Sequence, residues 1–309
     1  MKAVRFHEVG GPEVLRYEEI GQPAPAAGQV RLRVAASAFN AADNGMRAGF
    51  LPIPVVLPHV PGYDVSGVVD AIGEGVDGFA VGDAVIGFLP MAEDGGAAEY
   101  AIAPADALVA APTSVPLADA AALPSVALTA RQALFDDGNL EAGQRVLIVG
   151  AGGVVGKYAI ALAKRAGAHV IATASPRSAD AVRAAGADEI IDHTETGVVD
   201  AVSEPVDLLL NLAPIEPSEF TALVRLVRDG GTVVSTTAWM PAPDDAERDV
   251  RSVVVFVRSD AERLVELASL VDSGDLKLEV TRRIPLAELP ALHAEAAAGR
   301  ISGKVIVIP

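Results

Sequence analysis

Residues 146–167 read VLIVGAGGVVGKYAIALAKRAG. An apolar, mostly β-branched run passes through a glycine cluster into apolar residues at helical spacing, Val155, Ala159, Leu162 and Ala163. That order predicts strand, tight turn and helix. Within the cluster Gly150, Ala151, Gly152, Gly153, Val154, Val155, Gly156, the residues Gly150, Gly153 and Gly156 are spaced as G-x-x-G-x-x-G. Glycines there let backbone N–H groups approach a diphosphate, and the following helix turns its N-terminus toward the negative charge. A second apolar run, residues 169–173, supplies the next strand that the motif requires. The alternative is a glycine-rich turn that holds no ligand.

The second strand runs out in Ala172, Thr173, Ala174, Ser175, Pro176 and Arg177, with no carboxylate before Asp180. An NAD site usually carries an acid about 20 residues after the glycines, where it accepts hydrogen bonds from the ribose. A hydroxyl and a guanidinium instead suit a 2′-phosphate, so Ser175 and Arg177 predict NADPH. They also fit a helix start, with Ser175 as N-cap, Pro176 as the first helical residue and Arg177 in solvent. The two roles are compatible.

With 309 residues, 51% of them hydrophobic, the chain is long and apolar enough for two domains. Its net charge of −17 argues against nucleic acid and anionic membrane as partners. The opening MKAVRFHEVGG has no apolar core of a signal peptide, and lysines or prolines interrupt every run long enough to span a bilayer. A soluble, cytoplasmic protein is expected. There is no cysteine, which removes disulfides, thiol nucleophiles and thiolate zinc ligands.

Short strands punctuated by Gly and Pro are expected at residues 2–6, 15–20, 30–38, 67–72, 84–88 and 97–103. Residues 118–136, rich in alanine, turn helical. Strands then alternate with helices: 145–149, 169–173, 189–191, 206–210, 231–235 and 253–257 between helices such as 179–185 and 218–226. Alternation of this kind predicts a parallel sheet with helices on both faces. A helix at 261–271 stops at Gly274, and residues 277–309 return to short strands around a helix at 286–297.

Several separate motifs stand in one order: the opening MKAVRFHEVGGPEVLR, ASAFNAAD at 36–43 with Arg47, Ala48 and Gly49 behind it, PGYDVSGVV at 61–69, GDAV at 82–85, GAAEY at 96–100, the glycine turn, and GKVI at 303–306. Together they resemble the medium-chain dehydrogenase/reductases, and within them the zinc-free, zeta-crystallin-like quinone oxidoreductase branch. The resemblance implies an α/β fold. A β-rich GroES-like catalytic domain at 1–120 would be completed by 270–309, and a Rossmann NADP-binding domain with a doubly wound parallel sheet would span 121–269. It also implies a homodimer joined through edge strands, with 253–257 the candidate edge. Where zinc-dependent relatives have metal ligands, this chain has Ser37 near the first position and Tyr63 in place of a histidine. His7, His59, His169, His193 and His293 show no metal-ligand spacing. No metal is expected.

Hydride transfer from NADPH to a quinone or α,β-unsaturated carbonyl remains, with the cofactor supplying the difficult chemistry. A donor near the acceptor's carbonyl oxygen would lower the barrier, and water could bring the proton. By resemblance Asn40 lies near the nicotinamide, with Asp43 one helical turn on; as alternatives, Asn40 caps a loop and Asp43 is an N-cap or salt-bridged framework residue. Tyr63 either offers a hydroxyl in the vacated metal pocket or plugs it. The resemblance further implies cofactor contacts from Thr129, from Gly152, Gly153, Val154 and Val155, and from Ser175 and Arg177. His193 stands where many relatives have a tyrosine. Asn211, Thr236 and Thr237 lie at strand C-termini; by the same resemblance Phe256 and Val257 would border the nicotinamide, and Lys304 would either reach the cofactor phosphates or be a solvated turn residue. Loops 47–60 and 238–251 would line the small-molecule pocket. Two further readings are an enoyl thioester reductase and a non-catalytic NADPH-binding sensor.

Overall fold

The computed structural model describes residues 1–237, 240 and 243–309. Ala238, Trp239, Pro241 and Ala242, part of the expected pocket loop, lie outside the described residues. The chain divides into two compact units, Met1–Ser125 with Ser259–Pro309, and Val126–Arg258.

The second unit holds a six-stranded parallel sheet in the order Glu189–Asp192, His169–Ala174, Arg145–Val149, Val206–Asn211, Val227–Ser235, Arg251–Val254. Its strands are nearly continuous apolar runs because helices cover the faces; Leu147, Ile171, Leu209 and Val233 are fully buried. The register aligns the carboxyl ends: Asn211 stands beside both Val149 and Ser235, and Ser235 beside Val254. Whatever follows each strand is therefore delivered to one rim of the sheet. The edge strand starts and stops earlier than its sequence suggests, at Arg251 and Val254.

In the first unit a seven-stranded sheet is built on the ten-residue strand Gln29–Ala38, which pairs antiparallel with Asp64–Ile72 and with Val305–Ile308. Val305–Ile308 in turn pairs parallel with Arg282–Pro285. The helix Ala261–Asp272 belongs to this unit, and the chain leaves it through Gly274 at φ +79°. The helix expected over 118–136 is three pieces, Leu117–Ala120, Pro124–Arg131 and a π-helical turn Gln132–Asp137. Pro124 accounts for the first break, since its ring cannot continue a helix from behind. Among the described residues no helix is long and apolar enough to cross a membrane.

Candidate functional site

In the second unit the glycine turn joins strand Arg145–Val149 to the helix Val154–Arg165. Gly150 sits at φ +79°, which an L side chain rarely adopts, and its N–H is fixed by Thr173 Oγ1 at 3.0 Å. A Cβ on Gly156 would stand 2.4 Å from the carbonyl oxygen of Ala151, so the helix can approach the turn only without a side chain there. The helix begins at Gly153 with no side-chain cap, which leaves the N–H groups of its first turn for a ligand or solvent. Gly150, Gly152, Gly153, Val154, Val155 and Gly156 are thus one continuous surface of turn and helix start.

Ser175 follows strand His169–Ala174, and His193 follows the neighbouring strand Glu189–Asp192, its N–H bonded to Ala174 O at 3.2 Å. Arg177 and His193 are exposed and Ser175 is half-buried. Ser175 is not a side-chain N-cap: the helix beyond it is Ala179–Ala184, and it is Ser178 Oγ that accepts the Ser175 N–H, at 3.1 Å. On the other side of the glycine turn, Asn211 Oδ1 accepts from Ala213 N, and Ser235 Oγ bonds Thr237 Oγ1 at 2.7 Å. The Thr236 N–H closes onto Asn211 O. Phe256, 55% exposed, and Val257 follow the edge strand, while Thr129 is half-buried on Pro124–Arg131.

In the first unit the helix Ala41–Arg47 starts at Asn40, whose N–H is accepted by Asp43 Oδ2 at 2.7 Å. Asp43 Oδ1 accepts from Gly62 N at 3.1 Å, so this carboxyl ties the helix start to the Pro61–Gly62–Tyr63 corner. Burial pushes the Asp43 carboxyl up to about 7, with the nearby Asp64 charge acting in the same direction. The Asn40 amide faces Asp64. Its Nδ2 donates to Asp64 Oδ2 at 2.9 Å and to Ala38 O at 3.3 Å, and its Oδ1 accepts from Lys304 Nζ and Ser125 Oγ. Lys304 Nζ lies 3.0 Å from Asp64 Oδ2, with the Lys304 and Asp64 side chains 2% and 0% exposed. Asp64 is completed by the N–H and hydroxyl of Ser125, each at 2.7 Å.

Lys304 is therefore neither a solvated turn residue nor free to roam: it is the buried counter-ion of Asp64. Tyr63 is buried too, and its hydroxyl pairs with His59 Nε2 at 2.8 Å. Burial raises the Tyr63 pKa and lowers that of His59, which keeps both groups neutral. Sequence reasoning singled out Asn40 and Lys304 but not Asp64, Ser125 or the role of His59. Asp64 stands in the PGYDVSGVV segment, and only its burial in the structure marks it.

Residues 26–113 match the alcohol dehydrogenase GroES-like domain, and residues 185–307 match a family described as zinc-binding dehydrogenase. Over its whole length the chain is 32% identical to the chloroplast envelope quinone oxidoreductase homolog of Arabidopsis thaliana, covering 98% of that protein. The quinone oxidoreductase structure from Coxiella burnetii superposes with a TM-score of 0.91 at 30% identity, covering 100% of this chain and 99% of that one. This chain belongs to the quinone oxidoreductase branch of the medium-chain dehydrogenase/reductases. It is an oxidoreductase that works with a nicotinamide cofactor. A mycobacterial protein solved complexed with NADPH is also similar, at 26% identity with a TM-score of 0.87, covering 100% of both chains.

The residues present do not fit the zinc that one family description names. Ser37 and Tyr63 offer neutral hydroxyls, the phenol is held protonated by burial, and the chain has no thiolate. Among the described residues no group of three or more His, Cys, Asp or Glu could hold a metal ion.

Proposed function

We propose that this oxidoreductase is a zinc-independent, NADPH-dependent reductase of quinones or α,β-unsaturated carbonyls. The observation that carries the cofactor preference is the rim at the ends of strands His169–Ala174 and Glu189–Asp192. There Ser175, Arg177 and His193 follow adjacent strand ends, and the guanidinium of Arg177 is exposed, where an NAD site would carry an acid. Arg177 and Ser175 hold the 2′-phosphate, and the uncapped N-terminus at Val154 holds the diphosphate. Asn211, Thr236 and Thr237 line the rim beyond the glycine turn, with Phe256 and Val257 after the edge strand. NADPH, when bound, supplies the hydride.

Asn40 positions and does not donate, because both Nδ2 hydrogens already have acceptors within its own unit. The proton that balances hydride arrival at the acceptor comes from water in this reading. The side of the edge strand Arg251–Val254 that pairs with no described strand would pair with a second copy to give a homodimer, which light scattering checks against the 31.6 kDa mass of one chain.

The test is loss of reduced-nicotinamide absorbance with NADPH and, separately, NADH, against a panel of quinones, enones and enoyl thioesters. Turnover confined to NADPH with quinones or enones is expected. Turnover with thioesters alone, or binding of NADPH without turnover, would overturn the substrate assignment, and equal use of NADH would overturn the role of Arg177.

A further inference from the structure

The geometry points to Gln132 as a positioning residue for the chain that leaves the edge strand of the second unit's sheet, the segment carrying Phe256 and Val257. Gln132 opens the π-helical turn Gln132–Asp137 and is 1% exposed. Its Nε2 donates to Arg258 O at 2.9 Å, and its Oε1 accepts from Arg258 N at 3.0 Å. Both peptide groups of one residue are thus held by one side chain. A primary amide is the side-chain group that offers a donor and an acceptor side by side at that length, and the two backbone partners fix which end is oxygen.

Arg258 needs such a partner. The parallel pairing with strand Val227–Ser235 ends at Ser235 beside Val254, and the last bond across it is Val255 N to Ser235 O at 2.8 Å. Beyond that point the sheet offers no ladder, and three residues later, at Arg258, the chain is held by Gln132. Phe256 and Val257 therefore form a short arch anchored at both feet. The other end of the same π-helical turn holds the start of the strand, where the Arg251 guanidinium donates to Asp137 O. One six-residue turn brackets the whole segment from Arg251 to Arg258. The π-helical turn follows directly on the helix Pro124–Arg131 and closes it, with Gln132 buried at the junction, and such turns recur at functional sites.

The arch lies past the carboxyl end of a parallel strand, on the rim where open α/β sheets bind ligand. Its apolar side chains would meet the nicotinamide end of the cofactor, and this inference rests on the reading given under Proposed function. Gln132 touches no reacting atom. It sets where the arch stands.

The test compares wild type with Gln132→Met, which keeps the side-chain length and loses both bonds, and with Gln132→Glu, which keeps the acceptor and loses the donor. Titrations with NADPH and with 2′-phospho-ADP-ribose, which lacks only the nicotinamide, separate the arch from the rest of the site. For Gln132→Met we expect NADPH affinity and kcat each to fall about tenfold, a shift of about 1.4 kcal/mol in binding, with 2′-phospho-ADP-ribose bound as by wild type. Gln132→Glu should fall in the same direction by less. Unchanged NADPH binding and kcat in both variants would overturn the proposal, as would parallel loss of both nucleotides, which would make Gln132 a general fold residue. A wild type that binds neither nucleotide would overturn the cofactor reading itself and this inference with it.

Discussion

In the first unit the carboxylate of Asp64, the ammonium of Lys304 and the amide of Asn40 are bonded to one another. In the second, Arg177 and His193 stand in solvent and the helix at Val154 begins without a side-chain cap. The first arrangement is complete before any ligand arrives, because buried charges left unpaired would be too costly to fold around. The second leaves its hydrogen-bonding groups open, as the proposed anion site requires. Damage to the first should show as lost stability and damage to the second as lost affinity.

The strongest way to break that contrast is Lys304→Met. It strands the Asp64 carboxylate in the core, and the unfolding free energy from urea titration should drop by about 3–5 kcal/mol. A companion variant, Asp64→Leu with Lys304→Met, removes both charges and should recover most of the loss. Next is Gly156→Ala in the turn. Helix propensity alone would favour alanine by about 1 kcal/mol, but the Cβ would meet the Ala151 carbonyl, and overpacking of this kind costs about 1–3 kcal/mol. Fluorescence titration should show NADPH bound about tenfold or more weakly. Arg177→Ala should weaken NADPH by about tenfold, leave NADH binding as it was, and leave the urea midpoint in place.

The smallest effects are pH slopes, and they run in opposite directions. The Asp43 carboxyl is pushed from 3.8 up to about 7 by burial, so from about pH 4 to 7 the folded chain holds a proton that the unfolded chain has released. The stability it contributes is full below that window and is lost as pH rises through it. His293, pushed from 6.5 down to about 3 by burial and by the charge of Arg47, does the reverse. Its contribution is full above pH 6.5 and is lost as pH falls. Unfolding free energies measured from pH 4 to 8 should show wild type losing ground to Asp43→Asn as pH rises, and gaining on His293→Gln.

The parallel sheet and the glycine turn were legible because their signals are local. Strand 145–149 is observed with those bounds, as are 2–6 and 84–88, and Gly150 to Gly156 can be read from spacing alone. The buried network was not legible for the opposite reason. Ser125 and Lys304 meet Asp64 across 61 and 240 residues, and nothing in the spacing of a single chain marks a pairing at that range. The Tyr63–His59 bond is only four residues long, but it forms outside a helix, so helical reasoning does not reach it. The break of the helix over 118–136 was half visible: Pro124 announces the first interruption, whereas the π-helical turn at Gln132 has no marker in the residues around it.

The strand Val305–Ile308 sits inside its sheet, between Arg282–Pro285 and Gln29–Ala38, and it brings Lys304 with it. On a ribosome adding about 5–20 residues per second, the 240 residues from Asp64 to Lys304 take roughly 10–50 s to appear. The second unit, one unbroken stretch from Val126 to Arg258, is fully translated within that interval and can fold as it leaves the exit tunnel. The first unit meanwhile waits with an open slot beside Gln29–Ala38 and a carboxylate lacking its counter-ion. Until that slot is filled, during biogenesis, the strand Gln29–Ala38 presents an open edge of the kind that templates pairing with another chain.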